Sequence, residues 1–345
     1  MVTLEQIKLA QQRIKGVAAR TPLIRYFPPA EKRVTQSRSL EAKVPVKFTR
    51  GELWLKPESL QPIGSFKLRG AYNTIVSLSD EERRRGVISY SSGNHAQGVA
   101  YAARAVGAKA IIVMPRNASR TKMESTAALG AEIVTVGPAS AERMKKAEDL
   151  AGKHGYTIVA PDNDEHIIAG QGTVGLEIVE DCTGVDLVLV PVGGGGLISG
   201  VATAIKLSGS HVKVIGVEPE LANDAQQSLR KGRIVQLAAE RVSSTLADGL
   251  RTQSVGPINF EHIQQFVDDI VTVTEDEIRA AMRKLALNAR IVAEPSGAVT
   301  FAAWLFHAGE LPESKQTVAV ISGGNLEPQL LAQVLTDEAA GEHTS

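Results

Sequence analysis

Cysteine is almost missing from this chain. Cys182 stands alone among 345 residues, which excludes an internal disulfide and a cysteine-rich metal site and suits a reducing cytoplasm. Net charge is missing too: 38 basic residues balance 38 acidic ones, so nothing marks a nucleic-acid partner. No apolar run is long enough to span a membrane. Residues 1–16 follow an amphipathic helical pattern with Thr3 as a candidate cap, and they lack the apolar core of a signal peptide. Internal repeats, low-complexity tracts and coiled-coil heptads are also absent. The expected protein is cytoplasmic, without nucleic-acid or membrane partners. Its length allows a large core built as two lobes.

What is present is strand–helix alternation. Short apolar strands are predicted at 53–55, 87–90, 110–114, 132–136 and 157–159, with helices between them from Gly86 onward. Gly107, Gly130 and Gly155 close three of these helices. The run Leu187-Val188-Leu189-Val190-Pro191-Val192 is apolar throughout, as a strand buried on both faces requires. Strands at 212–217 and 317–321 and helices at 275–289 and 298–306 continue the pattern. The fold class is therefore α/β with parallel sheets. Residues 28–51 have no periodicity and read as a long loop.

In such folds ligands bind at the carboxyl ends of strands. Three loops lie there. Ser91-Ser92-Gly93-Asn94-His95 follows the strand at 87–90; the start of the next helix can hold a carboxylate or phosphate, although a capped turn would use the same residues. Gly193-Gly194-Gly195-Gly196-Leu197 lets the backbone approach an anion closely. It is neither a dinucleotide fingerprint nor a P-loop, and a phosphate monoester fits it best. Ser322-Gly323-Gly324-Asn325 offers a hydroxyl to a ring nitrogen or to another phosphate.

The remaining feature is Pro62-Ile63-Gly64-Ser65-Phe66-Lys67-Leu68-Arg69-Gly70-Ala71. Here Lys67 falls near the start of a predicted helix, with Ser65 as candidate N-cap. Taken alone, Lys67 is an ordinary helix lysine. A half-buried position at an electropositive helix start would lower its pKa and allow a Schiff base. An amine, a phosphate cup and a hydroxyl together match one cofactor, pyridoxal phosphate.

The lysine motif, Ser91 to His95, Ala169-Gly170-Gln171-Gly172-Thr173, the glycine tetrad and Ser322 to Asn325 occur in an order that resembles the serine racemase and serine/threonine dehydratase family. The resemblance runs from about residue 4 to 335. It implies a fold type II enzyme, two open α/β lobes with pyridoxal phosphate in the cleft. The large cofactor-binding domain would span 1–85 and 164–345, and the small domain 86–163. It also implies a homodimer and particular roles. Lys67 would hold the cofactor, Phe66 would pack beside its ring, Asn94 would bond its phenolic oxygen, and Gly193 to Gly196 with the Leu197 N–H would hold its phosphate. Ser322 would face the ring nitrogen, and Glu294 would supply an acidic group near the ring. The loop from Ser91 through Ser92 and Asn94 to His95 would take the substrate carboxylate.

Two matches point to the racemase subgroup. Ser92 falls where that subgroup keeps an acid/base serine opposite the lysine. Glu218-Pro219-Glu220-Leu221-Ala222-Asn223-Asp224 resembles its divalent-cation site. There the Glu218 and Asp224 carboxylates and the Ala222 carbonyl would bind Mg or Ca, or Mn; a strand-end acidic loop is the plainer reading. Arg143 and Thr252 match positions that contact dicarboxylate ligands, with Thr252 standing in for a serine. The chain departs from the pattern at 31–49, a basic, serine-containing insertion. A C-terminal regulatory domain has no counterpart, so feedback control by isoleucine is not expected. The expected activity is dehydration and deamination of a β-hydroxy amino acid, L-threonine or L-serine first. Racemisation, and dehydration of 3-hydroxyaspartate or phenylserine, are the alternatives within the family. A non-catalytic nucleotide-binding regulator is the alternative outside it.

Overall fold

The computed structural model describes residues 1–28, 51–91, 93–118, 120–137 and 140–336. The insertion at 31–49, Ser92 and the chain from Asp337 onward lie outside the described residues.

Ten strands are described: β1 (Ile24–Tyr26), β2 (Glu52–Pro57), β3 (Val87–Ser89), β4 (Ala110–Pro115), β5 (Glu132–Val136), β6 (Thr157–Ile158), β7 (Leu187–Pro191), β8 (Lys213–Pro219), β9 (Asp269–Val273) and β10 (Gln316–Ile321). They form a six-stranded sheet, β1-β2-β10-β7-β8-β9, and a four-stranded sheet, β5-β4-β3-β6. Only the β1–β2 pair is antiparallel among the described pairings. The α/β class with parallel sheets therefore holds.

Strand β7 shows why its sequence does not alternate. Leu187 and Leu189 pack toward the helix Pro295–Phe306, while Val188 and Val190 pack toward the helix Gly196–Leu207. Both faces are dry, so every position is apolar. The small sheet is covered the same way. Ala96, Val99 and Ala103 of the helix Asn94–Ala105 meet Ile112 and Met114 on one face, and Ala147 of the helix Ser140–His154 meets Ile111 and Val113 on the other.

Several element boundaries differ from the sequence expectation. Asn94 and His95 belong to the first turn of a helix, not to a loop. The segment Ala169 to Thr173 lies within the long helix Glu165–Asp181. Strand β9 and the helix Pro257–Phe266 have no counterpart in the expected pattern. Thr3 does cap the first helix, accepting from the Gln6 amide in a capping box. Ser65 does not cap the lysine helix. Phe66 holds the N-cap position in αR geometry without a side-chain bond, and the Ser65 hydroxyl is buried without a hydrogen-bond partner. The turn is held instead by backbone pairing to the loop after β10: Phe66 N–H donates to Ser322 O at 3.1 Å, and Gly324 N–H to Gly64 O at 2.9 Å.

Among the described residues no helix is long and apolar enough to cross a membrane.

Candidate active site

The helix Lys67–Ser77 starts where β2 and its following 3-10 turn end. Gly64 has a φ of +74°, and a side chain there would also strike Asn325. The helix is anchored by a buried charge cluster. Arg69 bonds Glu58 (Nε to Oε2, 2.8 Å) and Glu177 (Nη1 to Oε1, 2.6 Å), and Lys56 bonds Glu177 at 2.6 Å. Burial opposes the charge on Glu58, but the Arg69 guanidinium overrides it and holds that carboxyl below its usual range. Breaking such a pair leaves an uncompensated buried charge and costs about 3–5 kcal/mol.

Close packing joins this helix to Glu165–Asp181. A Cβ on Gly170 would lie 2.6 Å from Gly70 Cα. Gln171 Oε1 accepts from Gly70 N–H, and the Thr173 hydroxyl accepts from Arg69. On its other side the helix Glu165–Asp181 meets the one that follows the glycine tetrad, where a Cβ on Gly200 would lie 2.3 Å from Ile168 O.

Lys67 is half-buried, and its Nζ donates to Pro161 O at 2.5 Å. Burial lowers its pKa; Asp162 pulls the other way. The amine lies 5.2 Å from the centre of the Phe66 ring. Both residues open onto a cavity of about 420 Å³ between the sheets, whose wall includes the glycine tetrad, Ser91 and Ser322.

The tetrad follows β7. Gly195 sits at φ +98° as the N-cap of Gly196–Leu207, so the helix start faces the cavity. Gly194 has the Asp162 carboxylate against it: a Cβ there would fall 1.9 Å from Asp162 Oδ2. Asn259 Nδ2 donates to Gly194 O at 2.6 Å and fixes the loop from behind.

Asn94 Nδ2 donates to Glu294 Oε1 at 2.7 Å, and Asn94 Oδ1 accepts from Asn325 Nδ2 at 2.9 Å. Glu294 is the N-cap of Pro295–Phe306 and is 3% exposed. Burial first, and Asp248 second, raise its pKa to about 8, so it is mainly protonated at neutral pH. Its oxygen would fall 2.4 Å from a Cβ on Gly323, which explains that glycine. The Ser322 hydroxyl donates to Ser296 O at 3.4 Å.

His95 is buried, and its Nε2 meets Val159 O at 3.1 Å. Burial, with help from Lys67, pushes its pKa down to about 3, so the imidazole is neutral. Arg143 and Thr252 both line the cavity. Burial lowers the pKa of Arg143. The Thr252 hydroxyl lies 3.5 Å from Asp224 Oδ1 and so joins the cavity to the acidic loop.

In that loop Glu218 stands near the end of β8, opposite Thr272 of β9, and Asp224 begins the helix Asp224–Lys231; both are buried. Glu218 accepts from the Ala225 and Gln226 amides at 3.1 and 2.8 Å. Burial raises both carboxyls, Asp224 to about 7, and the Asp224 charge adds to the effect on Glu218. Asp224 Oδ2 has no hydrogen-bond partner. Two buried carboxylates with an unsatisfied oxygen suit a hard divalent cation. No cluster of three or more His, Cys, Asp or Glu side chains occurs among the described residues, so the remaining ligands would be the Ala222 carbonyl and water.

Sequence reasoning missed Asp162, Asn325 as a partner of Asn94, and the Lys122–Asp248 ion pair. Lys122 belongs to the helix Arg120–Ala128 beside the small sheet and Asp248 to a 3-10 turn beside the large one; both line the cavity. Asp162 had a readable signal, since it follows β6 and strand-end loops are where ligands bind.

An amine and an anion-holding helix start, facing one cleft between two parallel α/β units, define a lysine-dependent cofactor enzyme. The chain matches the pyridoxal-phosphate dependent enzyme family over residues 30–323 and belongs to it. It is 45% identical over 337 residues to an L-threonine ammonia-lyase of Thermotoga maritima, covering 97% of this chain and 78% of that one. Among solved structures it resembles the processed form of threonine deaminase isoform 2 from Solanum lycopersicum (34% identity, TM-score 0.84, 98% and 93% coverage) and maize serine racemase (33%, 0.86, 96% and 96%). The fold is that of these fold type II enzymes.

Proposed function

We propose that the protein is an ammonia-lyase that dehydrates and deaminates a β-hydroxy amino acid, with L-threonine or L-serine as substrate. The products are 2-oxobutyrate or pyruvate, and ammonia. The observation that carries this reading is Lys67, half-buried and lining one cavity with the glycine tetrad. Identity to named threonine ammonia-lyases supports the substrate class.

The residues fit pyridoxal phosphate. The glycine tetrad and Leu197 would hold its phosphate, Phe66 would lie beside its ring, and Asn94 and Ser322 would bond its polar atoms. When bound, the cofactor supplies a carbonyl for the lysine and delocalises negative charge from Cα. Lys67, whose pKa is lowered by desolvation, takes the Cα proton. The start of Asn94–Ala105, with Ser91, holds the substrate carboxylate. His95 serves as a neutral, buried support for that helix turn. Protonated Glu294 keeps Asn94 oriented and adds no anion beside the ring. The cation set Glu218, Ala222 and Asp224 acts on structure, steadying the loop that carries Thr252. Residues 86–163 form the smaller lobe in this reading, and the working unit is a cytoplasmic homodimer.

Lys67→Ala is the test. Turnover should fall by about a thousandfold or more, and the visible absorbance of bound cofactor should disappear. Normal keto-acid release by that variant sinks the assignment. Racemisation is the second reading, favoured by the likeness to maize serine racemase. Wild-type enzyme decides it: racemisation predicts that the opposite enantiomer accumulates in place of keto acid.

A further inference from the structure

The acidic groups on the cavity wall differ in what they are committed to. Asp248 pairs with Lys122, and Glu294 accepts from Asn94. Asp162 has no side-chain hydrogen bond or ion pair among the described residues, yet it lines the cavity. Its neighbours fix its position. Pro161, one residue before it, accepts from Lys67 Nζ at 2.5 Å, and its own Oδ2 lies against Gly194. Asp162 therefore lies against the anion cup, close enough to act electrostatically on Lys67 and Tyr90. The substrate carbon that loses its proton must come to Lys67, so its side chain shares this cavity with the Asp162 carboxylate.

We propose that Asp162 is a specificity-determining residue that selects substrates by side-chain charge, admitting neutral β-hydroxy amino acids and rejecting those with a second carboxylate. This inference rests on the lyase reading. Two carboxylates brought together in a partly dehydrated cleft repel far more than in water. A hydroxyl, by contrast, can donate to Asp162, whose oxygens are uncommitted. Arg143 lines the same cavity and would favour a dicarboxylate. It comes from the helix Ser140–His154, whereas Asp162 directly follows the residue that Lys67 bonds and acts electrostatically on the amine.

The test uses holoenzyme, wild type against Asp162→Asn and Asp162→Glu. The substrates are L-threonine and L-threo-3-hydroxyaspartate. The threonine-to-hydroxyaspartate ratio of kcat/KM should fall about tenfold or more in Asp162→Asn, mainly through a lower KM for hydroxyaspartate. Asp162→Glu should keep the wild-type preference. An unchanged ratio, or equal loss for both substrates, overturns the proposal and leaves Asp162 a packing residue. Binding separates it from the lyase reading. Wild-type holoenzyme should bind unreactive L-2-aminobutyrate more tightly than L-aspartate, read by the cofactor absorbance. Tighter aspartate binding overturns charge selection even if threonine is turned over. If threonine is not turned over, the lyase reading fails and the binding comparison still decides the role of Asp162.

Discussion

Single residues in this cleft are set by burial more than by their neighbours' charge. Glu294 is the clearest case. Its carboxyl titrates near 8 in the folded protein, against an ordinary value of 4.5. Between those values the native state binds a proton that the unfolded chain releases, so its contribution to stability is present below 4.5 and lost as pH rises to 8. Glu294→Gln should flatten the fall in denaturation free energy across that window, measured by urea unfolding of the cofactor-free protein at several pH values. A slope equal to wild type would mean that Glu294 is ionised. Lys67 stood out in the sequence only beside the glycine cup, the asparagine loop and Ser322, since alone it is an ordinary helix lysine. Its depressed pKa was legible only as an expectation. The Pro161 carbonyl that accepts its hydrogen bond lies 94 residues away, and nothing local announces it.

At the scale of elements, the strands were readable and the helix starts less so. Buried runs such as β4 and β7 contain apolar residues at every position, and their lengths were recovered to within one residue or so. The helix Pro295–Phe306 starts before the expected 298, and Asn94 falls in a helix rather than a loop, because polar residues at a helix start look like loop. The acidic motif at 218–224 was visible, but its burial was not, and burial decides its chemistry. Burial favours protons on these two carboxyls, and a divalent ion would compete with them. Magnesium or calcium at about a hundredfold excess over Kd should stabilise the protein by about 2.7 kcal/mol. Thermal melts should show the rise in wild type and not in Asp224→Asn. An equal response from both proteins would place the ion elsewhere.

For the whole molecule, the parallel sheets followed from strand–helix alternation, and the cleft between two lobes from the family resemblance. The pairing order did not. The sheet order β1-β2-β10-β7-β8-β9 brings the start and end of the chain together, so that the loop after β10 braces the lysine turn. Long-range backbone pairing of this kind leaves no periodic trace. The Lys122–Asp248 contact across the cavity was hidden for the same reason, since each residue alone is an ordinary surface charge.

The helix Glu165–Asp181 touches the lysine helix through Gly170 and the glycine-cup helix through the contact of Ile168 with Gly200. It works as a gauge. It faces no ligand, yet its thickness sets how far the amine stands from the phosphate, and so the length of molecule that can be held at both ends. A methyl group on Gly170 would widen the gap on one side only. Gly170→Ala should therefore weaken binding of pyridoxal phosphate to the cofactor-free protein by about tenfold, while inorganic phosphate, which meets only the cup, binds as before. Equal losses for both would mean that the cup itself had collapsed. The Gly-Gln-Gly segment then encodes the size of the cofactor in residues that never meet it.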